Sequence, residues 1–152
     1  MSDRARIAQI SVSAGGVPKR GVPAARVTAL GLEGDAQRNR ELHAGPERAL
    51  CLFSLERIRA LQTEGHPISA GSIGENLTLE GIDWSAVAPG ACLRLGGDVV
   101  VQITCYTAPC SNITASFRDR VYARVVREGM LATGDPVRIL SADEAAGLID
   151  AR

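Results

Sequence analysis

The chain has few aromatic residues, almost no lysine and no excess charge of either sign, and each shortage excludes a class of function. Two Phe, two Tyr and one Trp among 152 residues are too few for the aromatic surface on which single-stranded nucleic acids stack. A formal net charge of zero provides no bulk attraction to nucleic acid or to an anionic membrane. We therefore expect neither nucleic acid nor a membrane as a partner.

Long apolar stretches and paired cysteine motifs are also missing. The longest apolar runs are far shorter than a membrane span, and no basic region followed by an apolar stretch marks a signal peptide. Cys51, Cys92, Cys105 and Cys110 form no Cys-x-x-Cys pair and no Cys/His zinc spacing. We expect a cytoplasmic protein in which the cysteines remain thiols.

Several common cofactor sites are excluded by missing residues. The sequence has no strand–GxGxxG–helix unit for a dinucleotide, and no Gly-Lys-Ser/Thr follows its glycine-rich loops. Because His43 and His66 are the two histidines, a histidine-rich metal site is excluded. Sixteen of the 17 basic residues are Arg, which suits phosphate and carboxylate ligands. Lys19 is the sole candidate for a Schiff-base lysine.

The rhythm of the sequence predicts a mainly β fold, a barrel with two or three peripheral helices, in a single domain over residues 1–152. Short β-rich segments are separated by Gly or Pro at intervals of roughly ten residues. The predicted strands are 6–13, 25–30, 48–53, 76–80, 92–95, 99–106 and 136–140. The predicted helices are 54–64, 119–128 and a short C-terminal helix after Ser141. In the strand 99–106, Cys105 should lie on the apolar face and Tyr106 on the other.

Among the four thiols, Cys110 is the candidate for a catalytic residue. It follows the end of a predicted strand, and Pro109 restricts the backbone before it. A helix beginning near Ser111 would lower its pKa and favour the thiolate. We expect Cys51 and Cys105 to pack on apolar faces, whereas Cys92 should face outward.

The segment from Gly71 to Asn76 predicts a loop whose backbone lies close to a ligand. Gly71 and Gly74 permit close approach, and Glu75 and Asn76 offer a carboxylate and an amide. The residues alone are equally compatible with a glycine-rich turn in which Asn76 binds its own backbone.

A second polar loop, from Gly34 to Arg48, contains three arginines and His43. Guanidinium groups beside turn residues suit an anionic ligand. The alternative, which local chemistry favours, is a solvated loop, and a lone histidine such as His43 is more often structural or exposed than catalytic.

Four motifs occur in a characteristic order along the chain. They are Gly34-Asp35-x-Gln37, His43-x-Gly45-x-x-Arg48-Ala49, Gly71-x-x-Gly74-Glu75-Asn76-Leu77 and Tyr106-x-x-Pro109-Cys110. Together they resemble the MOSC domain, named for the C-terminal domain of molybdenum-cofactor sulfurases, in its small stand-alone bacterial form. The match covers about residues 7–140, and residues 141–152 form the C-terminal helix.

The resemblance implies a β-barrel that binds a molybdenum-pterin cofactor. In such proteins the equivalent of Cys110 either ligates molybdenum or carries a persulfide sulfur, and His43 is a candidate for proton delivery. The implied cofactor-binding residues are Gly74, Glu75, Asn76, Arg48, Lys19 and Arg20. Pyridoxal phosphate belongs to another domain of the full-length sulfurases, so we do not expect it here.

Three hypotheses follow from the resemblance. The first is a molybdenum-dependent oxidoreductase that reduces small N-hydroxylated compounds with Cys110 on the metal. It would require an external electron-donor protein, because the chain has no flavin, haem or iron–sulfur motif. The second is a sulfur carrier that holds a persulfide on Cys110 for transfer to a metal centre or partner. The third is a non-catalytic module that binds the cofactor.

Overall fold

Strands make up most of the computed structural model, which describes residues 5–13, 19–35, 46–107 and 119–150. The strands are β1 (Arg6–Val12), β2 (Arg20–Val22), β3 (Ala24–Thr28), β4 (Gly31–Leu32), β5 (Leu50–Ser54), β6 (Leu77–Glu80), β7 (Cys92–Leu95), β8 (Val99–Tyr106), β9 (Arg120–Arg127), β10 (Gly129–Ala132) and β11 (Val137–Ile139). The helices are α1 (Leu55–Thr63) and α2 (Ala142–Asp150), with short 3-10 helices at Pro46–Arg48 and Trp84–Ala86.

Eight of the strands form one strongly curled sheet, which confirms the predicted barrel-type fold. Their order is β11-β7-β8-β9-β5-β6-β1-β2, and β5 and β6 are parallel while the other neighbours are antiparallel. The curl brings the start of β1 to β11, where Arg6 forms a bridge with Pro136 and Val137 N–H donates to the Ala5 carbonyl (3.0 Å). A smaller sheet has the order β10-β3-β4.

The hydrophobic core lies inside the curl. Alternate residues of each strand point inward, so Leu50 and Leu52 of β5 are fully buried and share this core with Val121 and Ala123 of β9. The other residues of these strands point to the outer face of the sheet, where α1 and the loops lie. The site described below is on that outer face.

Both helices begin where their sequences predict. Ser54 caps α1, because its Oγ accepts a hydrogen bond from the Arg57 N–H (3.0 Å). Ser141 and Glu144 form a reciprocal capping box at α2. Within the described residues, neither helix has the length and apolarity needed to cross a membrane.

The predicted helix 119–128 is wrong, since this segment contains the whole of strand β9. Its sequence alternates, with Val121, Ala123 and Val125 in the core and Arg120 and Tyr122 on the outer face. This period of two matches the neighbouring strands β5 and β8 and outweighs the local compatibility with a helix. Strands β2, β4 and β10 were not predicted, because they are short and each contains a glycine.

The predicted face of Cys105 is also wrong, because strand β8 contains a bulge. The pairing of β8 with β9 shifts register between Ile103 and Cys105, so Cys105 lies opposite Tyr122 on the outer face. Tyr106 consequently packs against the core. Cys92 does point away from the core, as predicted, but it is buried beneath α2.

Candidate functional site

The two predicted catalytic residues, Cys110 and His43, lie outside the described residues, as does Pro109. The structure does describe the residues that flank these segments. Thr107 precedes the segment that contains Cys110, and Asp119 follows it. Asp35 precedes the segment that contains His43. Thr107 and Asp35 each belong to a group of buried polar residues on the outer face of the sheet.

We call this group the buried polar cluster. Its members come from strands β5 and β9, from the Gly71–Asn76 loop and from residues that flank the undescribed segments. They are Lys19, Asp35, Cys51, Glu75, Asn76, Thr107 and Arg120.

Asp35 forms a hub at one end of the cluster. Each of its two carboxylate oxygens accepts a hydrogen bond from Lys19 Nζ at 2.7 Å. The carboxylate also accepts from the Ser13 N–H (2.9 Å) and from Asn76 Nδ2 (2.8 Å). The side chains of Lys19 and Asp35 are each 5% exposed. Lys19, predicted to contact a cofactor phosphate, is therefore placed in a buried ion pair, and Asp35 has a structural role that the sequence analysis did not assign.

Asn76 joins the hub to strand β5. Its Oδ1 accepts from the Cys51 N–H (2.9 Å), its backbone N–H donates to the Cys51 carbonyl (2.8 Å), and Ser11 N–H donates to its carbonyl (2.8 Å). The side chain has no exposed surface. In the structure the Asn76 side chain therefore bonds to Cys51 of β5 and to Asp35 rather than to its own backbone, so it ties the Gly71–Asn76 loop to the sheet.

Glu75 is a buried carboxyl group with one unpaired oxygen. Oε2 accepts bonds from the Gly71 N–H (2.8 Å) and the Thr78 hydroxyl (3.2 Å), whereas Oε1 has no partner among the described residues. Burial raises the pKa of Glu75, and the hydrogen bond from Gly71 opposes this only in part. Burial therefore makes ionisation of Glu75 less favourable than in water. Gly74, at φ +102°, permits the turn that places Glu75 inside.

Arg120, like Asp35 and Thr107, belongs to this site but was not predicted from the sequence. Its guanidinium donates to the Thr107 hydroxyl (3.3 Å) and the Ile73 carbonyl (3.1 Å), while its Nε is buried with no partner in the described part of the chain. The alternation of β9 was the signal that could have placed it on the outer face. Arg120 links the residue before the Cys110 segment to the Gly71–Asn76 loop.

Cys51 is buried, as predicted, but its neighbours are charged. Burial raises the pKa of its thiol to about 11, although the charge of Arg120 partly lowers it. At neutral pH the thiol is therefore protonated and a poor nucleophile. Cys51 therefore has a structural role, although charged side chains surround it.

Arg48 is an exposed cation beside the cluster. Its guanidinium carbon lies 5.1 Å from the ring centroid of Tyr122, which is the residue of β9 opposite Cys51. Burial raises the pKa of Tyr122, so its hydroxyl stays neutral at physiological pH. Arg20, the other predicted phosphate contact, is exposed on the edge strand β2, and the sheet order separates it from Arg48 and Tyr122 by several strands.

The described part of this face carries guanidinium groups beside its buried ion pair. Lys19 and Asp35 compensate each other, and burial raises the pKa of Glu75. Arg48 and Arg120 add two guanidinium groups of the kind that bind anionic groups. Residues 5–13, 19–35, 46–107 and 119–150 contain no group of three or more His, Cys, Asp or Glu side chains that could hold a metal ion by themselves.

The chain was compared with known proteins. The family model of the MOSC domain matches residues 39–121, more than half of the chain. Protein YiiM of Escherichia coli is 34% identical over 95 residues, which cover 60% of this chain and 42% of YiiM. The protein YflK of Bacillus subtilis is 30% identical over 126 residues, covering 74% of this chain and 57% of YflK. The chain thus spans about half the length of these relatives.

Solved structures give the same picture of the fold. The crystal structure of YiiM from Geobacillus stearothermophilus has a TM-score of 0.67 at 23% identity, covering 90% of this chain and 75% of that one. For YiiM from Escherichia coli the TM-score is 0.64 at 23% identity, covering 90% and 70%. At this level of identity the likeness shows the fold alone.

Proposed function

Because the chain belongs to the MOSC domain family, we propose that it binds a molybdenum-pterin cofactor and reduces small N-hydroxylated compounds. The match to the family is the observation that carries this proposal. It spans residues 39–121 and so includes His43, the Gly71–Asn76 loop and Cys110.

The residues of the outer face fit the anionic part of such a cofactor. Arg120 has a buried Nε without a partner among the described residues, and Arg48 adds an exposed guanidinium above Tyr122. Both can donate to phosphate oxygens. Asp35 and Asn76 would keep the supporting loop in one conformation.

In this proposal Cys110 supplies a thiolate, a soft ligand suited to molybdenum. Bound molybdenum would supply the two-electron chemistry needed to remove an oxygen atom from nitrogen. His43, or a water molecule held by it, would deliver protons to the departing oxygen. An external protein would supply the electrons, because the sequence contains no flavin, haem or iron–sulfur motif.

The test is the molybdenum and pterin content of protein purified anaerobically from a cofactor-proficient host. We expect near-stoichiometric metal in the parent and in Cys92→Ala, whose thiol packs under α2 against Val100 and Leu140. Cys110→Ser should lose the metal while keeping the fold. Full metal content in Cys110→Ser would contradict its role as a ligand.

The same samples distinguish the other two hypotheses. A parent without metal whose Cys110 accepts a persulfide sulfur would be a sulfur carrier rather than a molybdoenzyme. A parent that binds the cofactor, yet reduces no N-hydroxylated compound when supplied with a chemical electron donor, would be a non-catalytic module. Either result would overturn the proposed reaction.

A further inference from the structure

A cavity of about 780 Å³ opens at one end of the curled sheet, and no member of the buried polar cluster lines it. Strands β5 and β6 end there, β9 begins there, and the short 3-10 helix Trp84–Ala86 and strand β11 complete the wall. The volume lies in the range of sites for small molecules. The apolar part of the lining comes mainly from Ile82, Trp84, Val137 and Ile139.

The charged part of the lining is acidic on balance. Three carboxylates, Glu56, Asp83 and Asp119, face two guanidiniums. Both guanidiniums already have acidic partners, since Arg57 pairs with Asp119 (3.0 Å) and Arg138 pairs with Glu144, which is not part of the lining (2.9 Å). The cavity therefore disfavours anions and favours a positively charged occupant.

Two buried polar atoms of the lining lack partners in the part of the chain that the structure describes. They are Asp119 Oδ1, in a residue that is 9% exposed, and Trp84 Nε1. Buried polar atoms in folded proteins are nearly always paired, so an unpaired acceptor and an unpaired donor in one cavity need an explanation. A ligand that donates to the carboxylate of Asp119 would explain the unpaired acceptor. A water molecule or a ligand acceptor at the indole would explain the unpaired donor.

The hydrogen bonds of Asp83 and Glu56 hold these carboxylates in place without neutralising them. Asp83 Oδ1 accepts from the N–H and the hydroxyl of Ser85 (3.0 and 2.6 Å), and these bonds lower the pKa of Asp83. Glu56 Oε2 accepts from the Gly81 N–H (2.9 Å). Both therefore add fixed negative charge at the rim of an apolar cavity.

From the cavity, its charge and its unpaired atoms, we propose that this end of the sheet binds a small organic cation. The ligand would place an ammonium or amidinium group at Asp119 and an apolar body against Trp84 and its neighbours. The lining of the cavity shares no residue with the buried polar cluster, although Asp119 is the chain neighbour of Arg120, and the proposed binding involves neither molybdenum nor a reaction.

Trp84 provides the assay, because it is the one tryptophan of the chain and it lines the cavity. Its emission is followed while the purified chain is titrated with benzylamine, benzyl alcohol or benzoate, three probes of similar shape and different charge, and calorimetry measures the same affinities. We expect saturable binding of benzylamine, at least about tenfold tighter than that of benzyl alcohol, and no binding of benzoate.

Variants distinguish binding in this cavity from nonspecific electrostatic attraction of cations to the protein surface. Asp83→Asn keeps a side chain that can cap the 3-10 helix but removes one charge, and should weaken benzylamine binding several-fold. Ala60→Phe fills the cavity from α1 and should abolish binding. Asp98→Asn makes the same charge change at an exposed turn outside the cavity and should have no effect.

Three results would overturn the proposal. They are equal affinity for the three probes, no saturable change in either assay, or unaltered binding in Ala60→Phe. Because the measurement needs no cofactor, each can be told apart from a failure of the proposed molybdenum function.

Discussion

Replacing Asp35 by Asn should destabilise the protein more than any other single change on the outer face. The change removes the charge that compensates Lys19, whose Nζ is 2.7 Å from both carboxylate oxygens and whose side chain is 5% exposed. Breaking a buried ion pair from one side costs about 3–5 kcal/mol, because a charge is left buried without its partner.

The ion pair also predicts how two substitutions combine. Lys19→Met leaves Asp35 with the Ser13 N–H and Asn76 Nδ2 as donors, so its carboxylate keeps part of its stabilisation. In the double variant neither charge of the ion pair remains. The double variant should therefore be more stable than the sum of the single effects predicts, by about 2–3 kcal/mol.

Urea denaturation measures both effects. With a slope of about 2 kcal/mol per molar urea, Asp35→Asn should lower the midpoint by about 1.5–2.5 M, whereas Asp98→Asn, at an exposed turn, should leave it nearly unchanged. If Asp35→Asn is too unstable to fold, the double variant should still recover a cooperative transition. Strictly additive losses, or a midpoint shift below about 0.5 M, would refute the assignment of Asp35 as the hub of the cluster.

Three further predictions concern the other residues of this face. Burial raises the pKa of Glu75, so its contribution to stability is complete below its ordinary pKa and is lost as the pH rises through the raised value. When the free energy of unfolding is measured from pH 4 to 8, Glu75→Gln should therefore become more stable relative to the parent as the pH rises. A constant difference between the two would contradict this. Arg48→Ala should weaken cofactor retention in a salt-sensitive manner, if its partner is a phosphate, whereas the matched Arg94→Ala, in strand β7 and two strands from β9 in the sheet order, should not. Mass spectrometry after iodoacetamide treatment of the native protein should find Cys105, which is partly exposed, modified before Cys51, which is buried with a pKa of about 11; the reverse order would contradict the burial of Cys51.

Sequence patterns predicted those parts of the fold whose signals are local. The capping residues of both helices and the hairpin of β7 and β8 are specified by neighbouring residues, and their bounds agree with the structure. Strand β9 was mistaken for a helix because its pairing partners, β5 and β8, lie far away in sequence. The bulge in β8 likewise depends on its register with β9, so Cys105 was assigned to the wrong face.

The candidate site was predictable in its motifs but not in its contacts. Glycines and polar residues between 71 and 76 indicated a special loop, yet which side chains face outward depends on partners that only the fold supplies. The side chain of Asn76 forms hydrogen bonds with Cys51 and Asp35. Arg120 contacts the loop from strand β9, which the sequence predicted to be a helix. Residues that hold one another across long sequence separations leave no local pattern.

The burial of Lys19 has a practical consequence for chemical labelling. Since the chain contains one lysine and its ammonium is held inside by Asp35, amine-reactive dyes should modify the folded protein at the α-amino group alone. Acylation of Lys19 would then require the ion pair to open, so its slow appearance would time this local unfolding event. The same reagent would thus give a uniformly labelled protein and a measure of the rate at which the Lys19–Asp35 ion pair opens.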